Sequence, residues 1–261
     1  MNFKGAFRGL RNPLESWKKS DSYFDMIDVE YDSYQVDNVI TDWVNKEVSK
    51  MELKPGEEPI EEGSNEWMDL FDKYFDWFYN NGILNKNEDA VNVAAIGPVD
   101  LNLAQRMIKA GSSDRKFLRQ IIVSVDITGP LYWYKEFDTY KIGTTANSTS
   151  TMHKISSTPI TPTCFELDDY NNEVFNPELF INNLETLRKK YNETKDQRYW
   201  KELIRWLPEG WLQTRTVTLN YEILRNIYSQ RRHHRLTEWH QFCDWIKSLP
   251  YANELILYGL D

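Results

Sequence analysis

QIIVSVDITGPLYWYKEFDTYK, residues 120–141, changes hydrophobic period halfway along its length. Ile121, Val123, Val125 and Ile127 alternate with Gln120, Ser124 and Asp126, the period of two of a half-buried strand. Gly129-Pro130 breaks that pattern, and a proline with fixed φ suits the first residue of a helix. Leu131–Lys141 then reads as a helix with Tyr132, Trp133, Tyr134, Phe137 and Tyr140 on nearly every side. Such a helix is buried or faces a partner subunit.

Toward the C-terminus, GTTANSTSTMHKISSTPITPT (residues 143–163) is polar and reads as loop. Asn176-Pro177 opens a helix carrying Phe180, Leu184, Leu187 and Tyr191 on one face, and Gln197–Trp206 forms another before Leu207-Pro208. LQTRTVTL, Leu212–Leu219, is β-branched and reads as a second strand. Asn220 is placed to cap a helix with Ile223, Leu224, Ile227 and Tyr228 inside. Beyond the basic turn Arg231-Arg232-His233-His234-Arg235, a last helix presents Trp239, Phe242, Cys243 and Ile246. Toward the N-terminus, Asp100 is a candidate cap for a helix through Leu103, Ala104, Met107 and Ile108, ended by Gly111. Glu66–Asn80 carries Trp67, Leu70, Phe71, Tyr74, Phe75 and Phe78 at helical spacing, closed by Asn81-Gly82. Leu53–Asn65 reads as an exposed loop. Helices grouped around a few strands give an α+β class, not an alternating α/β one.

Composition narrows the function classes. Residues 21–100 hold 20 acidic and 5 basic side chains, against 40 and 31 in the whole chain. One region is therefore strongly acidic, with a protein partner as one use for it. The remainder is mildly basic and suited to an anionic ligand. No basic face interleaved with aromatics points to nucleic acid. No stretch of roughly 18 apolar residues points to a membrane span. The basic N-terminus, MNFKGAFRGLRNPLESW, lacks a signal peptide's apolar run. Cys164 and Cys243 match no metal or redox spacing, so a cytoplasmic setting is expected, with both thiols as buried small hydrophobes.

Three collinear segments carry a family resemblance: Gly111–Pro130, Leu131–His153 and Leu207–Arg231, the last reading LPEGWLQTRTVTLNYEILRNIYSQR. Together they resemble the flavin-dependent thymidylate synthases over roughly the C-terminal three-fifths of the chain. The resemblance implies a central, mostly antiparallel sheet flanked by helices. It implies one domain over 1–261, with 22–97 an acidic insertion or divergent N-terminal region. It also implies FAD, a pyrimidine deoxynucleotide (dUMP or a relative), NADPH and methylene-tetrahydrofolate as co-substrates, and a homotetramer.

By position, Arg231 matches the arginine that polarises the pyrimidine, and Asn220 and Asn226 match two asparagines that place the flavin. Ser150 matches the serine of the nucleotide-phosphate loop, and Asn147 the asparagine that opens that loop. Glu136 falls where the family has a nucleotide-contacting glutamine. The family's Arg-His-Arg triplet falls on Thr139-Tyr140-Lys141, so Lys141 retains one cation. Tyr140 is open to stacking on flavin or to packing. The loop's glutamate falls on Ser148 and its Arg-Tyr pair on Met152-His153. A phosphate-contacting arginine falls on Ile204, with Arg205 next to it. Two readings follow: a divergent methyl-transferring enzyme of this family, or a non-catalytic nucleotide-binding, flavin-binding or assembly protein on the same fold.

Overall fold

The computed structural model describes residues 1–27, 33–51, 57–81, 83–87, 90–168, 171 and 173–260. In chain order the elements are α1 (Phe3–Arg11), β1 (Tyr23–Ile27), α2 (Ser33–Val48), α3 (Asn65–Asn81), β2 (Ile83–Asn87), β3 (Ala90–Ala95) and α4 (Pro98–Ala110). They continue with β4 (Ile122–Pro130), α5 (Leu131–Phe137), β5 (Thr145–Ser148), α6 (Thr151–Lys154), α7 (Pro177–Thr194), α8 (Gln197–Arg205), β6 (Leu212–Asn220), α9 (Tyr221–Arg231) and α10 (Thr237–Lys247). The α+β class read from the sequence is the class observed. Among the described residues no helix is long and apolar enough to cross a membrane. The exposed-loop expectation at 53–65 falls partly on residues 53–56, and the Asn81-Gly82 stop on residue 82; these lie outside the described residues.

The chain forms two compact units. The first comprises Met1–Ile122, Asn220–Arg232 and Cys243–Asp261. Here α1 is amphipathic, burying Phe3, Ala6, Phe7 and Leu10, and Phe3 packs edge-on against Tyr221 and Tyr251. β1, β3 and β2 form an antiparallel sheet in that order, with Tyr23 opposite Ala95 and Ile83 opposite Ala94. Val39, Ile40, Trp43 and Val44 of α2 meet Trp67 and Tyr74 of α3 in a core that also takes in Ala95.

The expectation that Asp100 caps a helix is corrected. α4 starts earlier, because Pro98 occupies its first turn and Gly97 is the cap residue. The open amides of Val99 and Asp100 donate instead to Asp21 (2.9 and 3.0 Å). Asp100 lies inside the first turn, fully buried, and accepts from Arg11 Nε (2.5 Å), Ser20 (2.6 Å) and Ser22 (2.5 Å). Ser22 in turn accepts from the Gly97 amide (3.1 Å). Burial pushes the Asp21 carboxyl up against the pull of those two amides. Gly111, at φ +121°, ends α4 as expected.

The second unit comprises Val123–Leu219 and His233–Phe242. Its sheet has the order β4-β6-β5. Ile155, Ile160, Phe165, Ile181, Leu184 and Leu203 make one core. Two further expectations are corrected here. The aromatic helix stops at Phe137, short of Lys141, because the Thr139 amide and hydroxyl both bond the Glu136 carbonyl (3.1 and 2.7 Å) and close a turn. Residues 143–163 are not all loop. They hold β5, paired antiparallel to β6, and α6, capped by Ser150. β5 is exposed along its whole length, so it carries no apolar alternation to read.

A pH dependence arises in this unit. Glu185 accepts from Arg188 Nε and Nη2 (both 2.7 Å) and from the Ile160 amide (2.8 Å). The Arg188 bonds hold its carboxyl at about 2, below the ordinary 4.5. A lowered folded-state value stabilises above the unfolded value, and that stabilisation is lost as pH falls from about 5 toward 2. Urea melts of Glu185→Gln should therefore show a flatter stability profile over that window than the parent protein.

Candidate functional site

The residues that the sequence singles out fall in both units. In the first, β6 ends on Asn220, which is buried and whose carboxamide oxygen accepts from the Ile223 amide (3.1 Å). The capping role is thus realised, and the carboxamide nitrogen still has protons to donate. Asn226 is exposed on α9, its oxygen accepting from Gln230 Nε2 (2.8 Å). Arg231 is half-buried as the last residue of that helix. Five residues apart, Asn226 and Arg231 project roughly 140° apart around the axis. These groups share a helix but not a face. The inner face of α9 is held by Tyr221, Leu224 and Ile227, and by Arg225, which donates to the carbonyls of Ile256 (2.7 Å) and Tyr258 (2.8 Å).

In the second unit, α5 supplies Trp133, Tyr134 and Phe137 to a cluster with Trp239 and Phe242. Tyr140 is buried beside it, meeting Phe137 and Trp239 edge-on. Of the two roles open to Tyr140, packing is the one visible. Lys141 stands exposed past the end of the helix. Lys135 and Glu136, adjacent charges in an aromatic helix, each find a partner. Lys135 reaches Glu209 (2.6 Å) at the surface. Glu136 accepts from Trp239 Nε1 (3.1 Å) and lies 3.4 Å from His234 Nε2. His234 Nδ1 accepts from the Leu236 amide (3.3 Å), which turns Nε2 toward Glu136.

The sheet divides the remaining candidates. Asn147 is opposite Thr216, and Ser148 opposite Arg215. Successive strand residues point to opposite faces. Asn147 therefore joins a polar face on which Ser124 bonds Thr218 (2.8 Å), Thr216 donates to Asp126 (2.6 Å) and Thr128 bonds Thr214 (2.7 Å). Ser148 joins the face of Arg215. Ser150 accepts from the His153 amide (3.3 Å) and lies 2.7 Å from its Nδ1. Arg205, exposed at the end of α8, is engaged by Glu202.

Arg215 is the functional-looking group that the sequence reading missed. Its guanidinium lies 3.8 Å from the Tyr134 ring centroid and donates to Asp138 (2.8 Å) and Gln213 (2.9 Å). The Tyr134 hydroxyl donates to the Ile127 carbonyl (2.6 Å), and burial, only partly offset by Arg215, pushes it up to about 12. The signal was present: Arg215 shares the strand parity of Val217 and Leu219, where a cation needs a reason. Among the described residues no group of three His, Cys, Asp or Glu side chains is placed to hold a metal. Cys243 is buried and its thiol pushed up to about 11, as expected of a packed cysteine, whereas Cys164 is only half-buried.

A crystal structure of the flavin-dependent thymidylate synthase of Helicobacter pylori, complexed with FAD and dUMP, superposes with a TM-score of 0.50. The match covers 63% of this chain and 85% of that one, at 16% identity. This chain shares that enzyme's fold. A second crystal structure of the thymidylate synthase from the same organism, with FAD and dUMP, gives 0.49 over 61% and 82% of the two chains, again at 16% identity. No family model matches the sequence, and no curated protein does. The relationship to the flavin-dependent thymidylate synthases is thus a distant structural one, and the mixed helix-and-sheet architecture expected from the sequence is the one found.

Proposed function

We propose that the chain is a divergent flavin-dependent thymidylate synthase-like enzyme that binds FAD and a pyrimidine deoxynucleotide, dUMP or a relative. The observation that supports this is the shared fold with an enzyme solved in complex with both ligands. Asn220 and Asn226 commit their oxygens locally and keep amide protons that a flat anionic cofactor would take. Asn226 and Arg231 leave α9 on different faces, however, so one copy of the chain does not converge these donors on a single ring system. Bound flavin would supply the hydride, drawn from NADPH, while methylene-tetrahydrofolate would supply the carbon. In this reading Arg231 polarises the pyrimidine carbonyl, an electrostatic role that is effective where water is excluded. Glu136, Asn147, Ser148, Ser150 and Arg205 orient the nucleotide, with Lys141 and Tyr140 toward the flavin. A homotetramer would assemble such groups from several copies.

The same reading makes 1–261 one domain with 22–97 as an insertion. In support, both ends of that segment meet: Ser22 is bonded to Gly97 and Asp100, and Asp21 to Val99 and Asp100. Its acidic surface then offers a place for a protein partner.

One observation favours a second reading, a non-catalytic nucleotide-binding, flavin-binding or assembly protein. Tyr140 is packed away and Arg205 is engaged by Glu202, so two assigned positions already have local duties. The deciding experiment is the visible spectrum of the purified protein with and without added FAD, followed by melting with dUMP and a dTMP-formation assay. Flavin absorbance, a dUMP-dependent rise in Tm and product formation support the enzyme. Ligand-dependent stabilisation without product supports the second reading, and no response to FAD or dUMP removes the nucleotide and flavin assignments altogether.

A further inference from the structure

A cleft of about 650 Å³ in the first unit lies apart from every residue assigned above. It opens between the residues after α1 and the start of α4, and its size is that of a small-molecule site. Arg11, Lys19 and Arg106 line it, with Asn102 as a further polar group and Leu14 and Leu103 as an apolar wall.

Arg11 is the one buried cation among these lining residues. Only 3% exposed, it donates through Nε to Asp100 (2.5 Å), and its Nη1 lies 3.4 Å from the Ser16 carbonyl. Nη2 is ion-paired with the same Asp100 carboxylate. Asp100 neutralises Arg11. Lys19 and Arg106, both exposed, have no acidic partner among the described residues. The cleft thus carries two positive charges that no acid among the described residues compensates, in a protein of net charge −9. The α4 amides of Val99 and Asp100 are already occupied by Asp21, so the side chains alone supply the positive field.

The geometry points to a binding site for a phosphate monoester with an apolar body. Arg106 and Lys19 match the dianion, Asn102 offers a further N–H donor, and Leu14 and Leu103 take the organic group. A carboxylate would leave one charge uncompensated, and inorganic phosphate would leave the apolar wall wet. This site is independent of the flavin and nucleotide assignments.

The test is isothermal titration of the full chain with phenyl phosphate, inorganic phosphate and benzyl alcohol. Arg106→Ala and Lys19→Ala are the variants and Arg198→Ala, an exposed arginine of the other unit, is the charge control. Phenyl phosphate should bind, inorganic phosphate more weakly and benzyl alcohol undetectably. Each cleft variant should weaken phenyl phosphate by roughly tenfold or more, the loss expected for a charge-assisted contact. The control should leave affinity unchanged. Both substituted residues are solvent-exposed, so the variants should fold, as unchanged melting without ligand would verify. No binding of phenyl phosphate at millimolar concentration, or equal affinity in parent and cleft variants, overturns the proposal.

Discussion

Asp100→Ala is expected to destabilise the protein by about 3–5 kcal/mol, the range for removing one partner of a buried ion pair. The carboxylate is fully buried and is the acceptor for Arg11, Ser20 and Ser22. Alanine would leave a guanidinium only 3% exposed without its counter-charge and two hydroxyls without an acceptor. The loss should appear as a lower urea midpoint at unchanged slope. A companion experiment separates charge from packing: the paired substitution Arg11→Met with Asp100→Leu should recover much of the loss, because well-packed apolar pairs often replace buried ion pairs at little cost. A loss of less than about 1 kcal/mol for Asp100→Ala would mean that water replaces the carboxylate, contrary to the burial observed.

The second large effect concerns chemistry. If the synthase reading holds, Arg231→Ala should lower kcat/KM for dUMP by about 10²–10³-fold, the usual cost of removing one preorganised electrostatic stabiliser. Arg231 is half-buried at the last position of α9, beyond the inward-facing Tyr221, Leu224 and Ile227, so the fold should survive the change. Arg231→Lys should recover only part of the activity, since an ammonium keeps the charge but not the planar fork. Turnover in Arg231→Ala equal to that of the parent would remove this residue from the mechanism while leaving the fold assignment untouched.

Where hydrophobic period and punctuation coincide, the sequence discloses the structure well. β4 alternates as read, with Val123 buried and Ser124, Asp126 and Thr128 exposed. It starts at Ile122, however, and runs on through Gly129 and Pro130, so that Pro130 caps α5 and Leu131 is its first residue. α7 begins on the capping Asn176, whose oxygen accepts from the Leu179 amide at 3.1 Å, and α9 on the capping Asn220. Legibility fails where backbone pairing or a distant side chain decides. β5 is exposed on both faces and exists because β6 offers it a ladder. α4 begins before Asp100 because a carboxylate 79 residues earlier in the chain takes that residue's amide, a contact beyond any local pattern. Phe3, Ala6, Phe7 and Leu10 of α1 lie at helical spacing, so that this helix is legible in the sequence. Of the candidate site, the resemblance located residues by position, but their local engagements, such as Glu136 with Trp239 and Asn226 with Gln230, depend on folded geometry.

The bonds joining Asp21 and Ser22 to Gly97, Val99 and Asp100 make the intervening segment separable in principle. It carries its own three strands, its own pair of helices and its own packed interior. Departure and return points are adjacent, and the entropy of closing a loop grows only slowly with its length. If the insertion reading holds, a lineage could acquire or shed this appendage in one step, with only contacts such as Phe24 on Phe7 and Ile96 on Tyr251 left to repack. An engineer could graft a reporter at the same junction.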